Sequence, residues 1–295
     1  MRMRAWYDLR VAFATLFTLG SAAVLSACAP VSFLNSITPS SSFEGVQNIS
    51  FGDLDRQKLD IYRAQSPDAA LPVLVFVHGG GWDSGSKDIY KFFAEGLTSE
   101  GFDVVVPNYR LYPNGIYPQF LEDNAKAVAW AAREYADRPI VLIGHSAGAY
   151  NIMMLTMRDA FLSEAGVDRC SRLAGAVGLA GPYGFTPLDE EPYITIFPDR
   201  FTKDDAVIHN VNGPAPAVFL MNGAEDTTVH PQNVPALAEK IRARGGIAEA
   251  KIYEGLNHTE PVKVFSRYFD EDAPVKSDII NFIKSLDLGA DNFCH

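Results

Sequence analysis

Val141-Leu-Ile-Gly-His-Ser-Ala-Gly-Ala149 decides the fold. It runs as an apolar strand into a Gly-x-Ser-x-Gly turn (Gly144, His145, Ser146, Ala147, Gly148) and on into a helix-forming segment. A serine at so sharp a strand-to-helix turn is held in a strained backbone conformation. Glycines two before and two after it are required because a Cβ there would clash. The turn lifts the Ser146 hydroxyl to the open end of a sheet, and the unpaired N–H groups of the following helix point the same way.

Outward from this stretch, strands alternate with helices. Val46–Phe51 and Lys58–Tyr62 read as a hairpin around the Gly52-Asp53 turn signal. Leu71–Val77 is a continuous apolar run, the pattern of a strand buried on both faces of a parallel sheet. A helix is predicted over residues 87–100 and a strand over 103–107. Apolar residues at helical spacing give a second helix over 121–135, ahead of the strand 140–143. Strands over 173–179, 217–221 and 248–253 follow, with helices over 234–244 and 277–286. Such alternation implies a doubly wound α/β domain with a mainly parallel sheet over residues 46–295. Ligands then bind at the carboxyl ends of its strands.

The chain has 295 residues, 47% hydrophobic and 21% charged, an ordinary globular composition. Its net charge of −11 repels polyanions, so nucleic acid is not an expected partner. The N-terminus stands apart. Arg2, Arg4 and Arg10 precede the apolar run Val11 to Val24, too short to span a bilayer comfortably, and then Leu25-Ser-Ala-Cys28. This layout resembles a bacterial lipoprotein signal peptide over residues 1–27, with Cys28 the lipidated first residue of the mature chain. A lipid anchor in the cell envelope is the expected localisation, on the outer membrane where the cell has one. Residues 28–45, rich in Ser and Pro, read as a tether that lets the domain stand off the membrane. Cys170 and Cys294 remain, and in an oxidising compartment they are candidates for a disulfide worth roughly 4–5 kcal/mol on the chain-entropy model.

Ser146 needs a base, and the base needs an orienting carboxylate. Of the six histidines, His258 follows the last strand in a loop at the correct edge, whereas His145 adjoins the serine and should point away from its hydroxyl. Asp226 follows the strand 217–221; Glu225 and His230 are the competing carboxylate and base. The order Ser146, Asp226, His258 is that of a nucleophile-elbow hydrolase. Directly after the strand 71–77 stands His78-Gly-Gly-Gly-Trp82. Its Gly80 and Gly81 N–H groups, with that of Ala147, would form an oxyanion hole. Trp82, Tyr183 and Tyr193 are candidates to line a substrate pocket, and the span Thr186 to Pro214 is the candidate lid.

His78-Gly-Gly-Gly-Trp82, Asn108-Tyr-Arg-Leu111, Gly144-His-Ser-Ala-Gly148, Gly223-Ala-Glu-Asp226 and Asn257-His258 together resemble the α/β-hydrolase fold. Within it they are similar to the carboxylesterases related to hormone-sensitive lipase and to bacterial feruloyl-esterase-like hydrolases. The resemblance implies an eight-stranded sheet, a Ser-Asp-His triad, and neither metal nor cofactor, while the small lid span favours short-chain or aryl esters over long triglycerides. It also implies an ion pair between Arg110 and Asp123. His145 stands where hormone-sensitive-lipase relatives usually carry Asp, which leans toward the feruloyl-esterase or formamidase side. An amidase or formamidase on the same triad is the alternative activity, and a non-catalytic binding lipoprotein the alternative outside catalysis.

Overall fold

The computed structural model describes residues 33–184, 191–198, 206–270 and 272–295. Eight strands, β1 (Phe43–Ser50), β2 (Lys58–Ala64), β3 (Val73–Val77), β4 (Val104–Pro107), β5 (Ile140–His145), β6 (Leu173–Leu179), β7 (Ala217–Gly223) and β8 (Ala248–Tyr253), form one sheet. Their order is β1-β2-β4-β3-β5-β6-β7-β8. The hairpin β1–β2 is antiparallel and β2 joins β4 antiparallel; every pairing from β4 to β8 is parallel. This is the mainly parallel sheet that the alternation implied, with the eight strands that the resemblance to the α/β-hydrolase fold implied.

Five longer helices cover the two faces: α1 (Lys91–Thr98), α2 (Gln119–Glu134), α3 (Ala147–Met157), α4 (Asn233–Arg242) and α5 (Val275–Ser285). The inner strands β3 to β7 are buried along their whole length because both sides are covered, whereas the edge strands β1 and β8 are largely exposed. Along β3, Val73, Val75 and Val77 pack into a core with α2, α3 and α4, while Leu74 and Phe76 pack into a second core with α1 and α5. The two-residue period of a strand sends neighbours to opposite faces, so a run without polar residues is what a central strand needs. α3 follows the serine directly and is buried at every position from Ala147 to Met157. It carries no polar face because it lies between sheet and neighbouring helices.

The N-terminal tether expected over residues 28–45 is not free beyond residue 32. Residues 33–37 are helical, Leu34 is 5% exposed, and Leu34 and Phe43 join the core that holds α1. Asn35 Nδ2 donates to the Asp88 carbonyl (2.7 Å) and Lys91 Nζ to the Thr38 carbonyl (2.6 Å). The Ser42 and Thr98 hydroxyls pair at 2.9 Å. The segment thus runs parallel to α1, and β1 starts ahead of the expected domain boundary at residue 46. An isolated Leu and Phe among Ser and Pro give no periodic signal, so composition alone suggested a linker. Residues 1–32, with the leader and Cys28, lie outside the described residues.

Cys170 and Cys294 are bonded, their Cα atoms 5.1 Å apart and their positions separated by 124 residues. The bond seals the C-terminal tail: Phe293 N donates to the Cys170 carbonyl (2.7 Å), and Ala215 and His295 exchange backbone hydrogen bonds (3.3 and 3.1 Å).

Candidate active site

β5 ends at His145, and Ser146 takes φ 54° and ψ −122° before α3 begins. The glycines permit this turn. A Cβ on Gly144 would run into the backbone of Gly148, and one on Gly148 into the carbonyls of Val77, the last residue of β3, and of His78 just after it. The nucleophile turn is therefore wedged against the neighbouring strand, with room for hydrogen only.

Three side chains from separate loops meet there. His258 Nε2 lies 2.9 Å from Ser146 Oγ, and His258 Nδ1 lies 2.7 Å from Asp226 Oδ2. The acidic partner assigns the proton to Nδ1, leaving Nε2 as the acceptor for the serine hydroxyl. Asp226 Oδ1 accepts the Thr228 and Val229 amides, each at 2.8 Å. Burial alone would raise the Asp226 carboxyl. The hydrogen bonds from His258 and from the Val229 and Thr228 amides outweigh it and hold the group below the usual carboxylate value. Asp226 thus stays ionised beside the imidazole. The competing Glu225 and His230 have no place in this chain of bonds, His230 Nδ1 instead accepting the Gln232 amide (3.2 Å).

The glycine loop after β3 abuts the serine. A Cβ on Gly79 would stand 3.1 Å from Ser146 Cβ. Gly80, Gly81 and Trp82 all adopt positive φ (122°, 59° and 63°), turning the loop so tightly that the Gly80 carbonyl accepts the Ser84 amide and hydroxyl (2.9 and 2.8 Å). A side chain on Gly80 would strike Ser84. Among the described residues, the Gly80, Gly81 and Ala147 amides donate to no protein acceptor. Fixed donors beside a nucleophile are what a developing oxyanion requires.

The loop is braced from below by residues whose part was not legible. Tyr109 donates its hydroxyl to the His78 carbonyl (3.0 Å) and stacks on the His78 ring at 4.5 Å. Arg56 reaches from the β1–β2 turn to the carbonyls of Tyr109 (2.7 Å) and Gly85 (3.0 Å). The Asn-Tyr-Arg motif marked Tyr109, but nothing around Arg56 marked that residue. Arg110 grips Asp123 with two side-chain bonds of 2.8 Å, and Asp123 also accepts the Arg110 amide and Gln57 Nε2. The Asp123 carboxylate raises the Arg110 guanidinium further above its ordinary value, outweighing partial burial. This pair fastens the loop after β4 to α2.

His145 points away from the serine hydroxyl, and its partner is unexpected. Nε2 donates to the backbone carbonyl of His258 (2.9 Å), with the two rings 5.0 Å apart. Burial, seconded by the neighbouring His258, pushes the His145 imidazole down to about 3; burial lowers His78 to about 4. Both rings are neutral at ordinary pH.

The three aromatic pocket candidates separate. Tyr193 is half-buried, and its hydroxyl would stand 3.3 Å from a Cβ on Gly81, so it overhangs the glycine loop. Trp82 is buried in an aromatic cluster with Tyr150 and Phe197, its Nε1 donating to Asn151 Oδ1 (2.9 Å). Tyr183 has no exposed surface; its ring lies against Gly178 and Gly181. Tyr183 is thus core rather than pocket wall, because glycines in β6 and the loop after it leave a hole that the ring fills. Of the lid span, residues 186–190 and 199–205 lie outside the described residues. Among the described residues no cluster of three or more His, Cys, Asp or Glu side chains forms a metal site.

The chain is similar to known proteins in sequence and in fold. Residues 59–241 match the BD-FAE family. The chain is 26% identical to the probable isoprenylcysteine alpha-carbonyl methylesterase ICMEL1 of Arabidopsis thaliana, over 72% of this chain and 51% of that protein. It is also 26% identical to the kynurenine formamidase of Salmo salar, over 81% of this chain and 76% of that one. The chain thus spans about half the length of the plant methylesterases it matches. Esterase B from Lactobacillus rhamnosis superposes with a TM-score of 0.76 at 18% identity, covering 90% of this chain and 94% of that one, a likeness of fold. The match runs from β2 through α4, enclosing the glycine loop, Ser146 and Asp226, and on it the chain belongs to the BD-FAE family, within the α/β-hydrolase fold.

Proposed function

We propose that this chain is a serine carboxylesterase acting on short-chain or aryl esters. The observation that carries the reading is the continuous bond path from Ser146 Oγ through His258 to Asp226, at 2.9 and 2.7 Å. Ser146 Oγ bonds to the ester carbonyl carbon as its proton passes to His258 Nε2. The carbonyl π pair moves onto oxygen, where the Gly80, Gly81 and Ala147 amides receive it; each such donor is worth about 3–4 kcal/mol of barrier. Collapse of the adduct breaks the bond to the alkoxy oxygen, which leaves as alcohol with the proton from Nε2. Water repeats the sequence on the acyl-enzyme, releasing the carboxylic acid and restoring Ser146. Asp226 keeps the imidazole in the required tautomer and balances its transient charge.

Ser146→Ala is expected to lower turnover of p-nitrophenyl acetate by about 10⁴-fold or more while the fold survives. Undiminished turnover, or no labelling of Ser146 by a fluorophosphonate, would remove the assignment and favour a binding role. A second reading, amide hydrolysis on the same triad, is favoured by the salmon kynurenine formamidase, which the chain matches over 76% of that protein's length. Assay of N-formylkynurenine beside aryl esters separates the two.

The leader and Leu25-Ser-Ala-Cys28 support a second proposal, that the mature chain begins at a lipidated Cys28 and is held in a bacterial envelope. Among the described residues no helix is long and apolar enough to cross a membrane. Intact mass of the exported protein tests the anchor, which predicts acyl chains on Cys28.

A further inference from the structure

The packed N-terminal segment fixes where such an anchor would emerge. α1 leaves the carboxyl end of β3, just past the glycine loop, and descends toward the amino end of β4. Ser42 pairs with Thr98 at the foot of α1, Thr38 with Lys91 at its head, and Asn35 with Asp88 above it. Read backwards, the chain therefore climbs to the rim that holds Ser146 and His258, where Phe33 is the first described residue. The five steps from Cys28 to Phe33 reach at most about 18 Å even when fully extended. An acylated Cys28 sits at the bilayer interface, so this end of the molecule cannot stand off from it.

The surface presented at that place is apolar. Phe33 is 62% exposed and Ile37 38%, one helical turn apart, whereas Leu34 and Thr38 point inward. Tyr268 is 51% exposed, and its hydroxyl donates to the Ile37 carbonyl (3.3 Å), which joins it to the same patch. Aromatic and aliphatic side chains grouped beside a lipid attachment point suit the headgroup boundary, where a ring is buried and a hydroxyl stays wet. A net charge of −11, more negative still without the basic leader, gives the molecule no overall attraction to anionic lipid, so apolar contact is the force proposed to orient it.

Resting on the lipid-anchor reading of Cys28, we infer that the face bearing Phe33, Ile37 and Tyr268 lies on the bilayer surface and turns the Ser146 rim toward the membrane. Esters carried by amphiphiles at that surface would then reach the serine without leaving the interface.

The test uses the full chain, exported, acylated and reconstituted in phosphatidylethanolamine/phosphatidylglycerol vesicles. Cys28 is then blocked and Cys170–Cys294 bonded, so an introduced cysteine is the one thiol free to take an environment-sensitive fluorophore. Probes go at Phe33→Cys, at Tyr268→Cys as a second site on the face, and at Asp137→Cys, exposed beside the amino end of β5. The expected result is blue-shifted emission shielded from aqueous iodide at positions 33 and 268, with position 137 fully quenched. Equal quenching at all three with acyl chains present on Cys28 overturns the orientation and leaves the anchor standing. Absence of acyl chains by mass spectrometry overturns the anchor and the orientation with it.

Discussion

The imidazole of His145 shares a backbone bond with the nucleophile and holds the carbonyl of the base by a hydrogen bond. It touches no reacting atom, so it is a positioning residue. His145→Ala removes a bond worth about 1 kcal/mol, which corresponds to a fall in kcat of about fivefold with KM little changed. His145→Gln, which can place an N–H near the lost Nε2, should recover part of the loss. An equal loss in both variants, or a change confined to KM, would count against the role. The same residue, with His78, makes stability depend on pH. The unfolded imidazoles take up protons below about pH 6.5, whereas the folded ones stay neutral down to about 3 and 4. The unfolded state therefore binds more protons, and stability is complete above pH 6.5 and lost as pH falls toward 4. Each ring adds a slope of up to about 1.4 kcal/mol per pH unit. Urea midpoints should fall between pH 6.5 and 4, less steeply in His145→Gln; equal slopes in both proteins would argue against a buried neutral ring.

At the scale of elements, the inner strands were legible because burial on both faces leaves an uninterrupted apolar run, as in Val73–Val77 and Leu173–Leu179. The nucleophile turn and its two partners were legible for a related reason: each sits at a strand's carboxyl end, in an order the sheet imposes. What the sequence does not show depends on contacts distant along the chain. Leu34 carries no pattern of its own and is buried by a helix whose residues lie far along the chain. Tyr183 follows a strand just as a pocket residue would, and only the glycines beneath its ring make it core. Arg110 and Asp123 join two elements that carry the glycine loop between them. Arg110→Lys keeps the charge but gives up the two-pronged grip on a fully buried carboxylate. It should cost about 1–3 kcal/mol in chemical denaturation; a loss within error of zero would show that Gln57 and the Arg110 amide suffice for Asp123.

Over the whole molecule, the disulfide closes the sheet's far side by tying the tail to the segment before β6. Reduction should lower the unfolding free energy by about 2–5 kcal/mol, while initial turnover of the still-folded protein is unaltered, since neither sulfur approaches the triad's bonds. A parallel loss of turnover upon reduction, without unfolding, would mean that the tail supports the site after all. The bond from His145 has a further consequence. Nucleophile and base cannot separate by loosening one surface loop, because the ring that spaces them is itself part of the core. Heat should then leave no folded but silenced population: esterase activity and near-ultraviolet circular dichroism ought to vanish along a single melting curve.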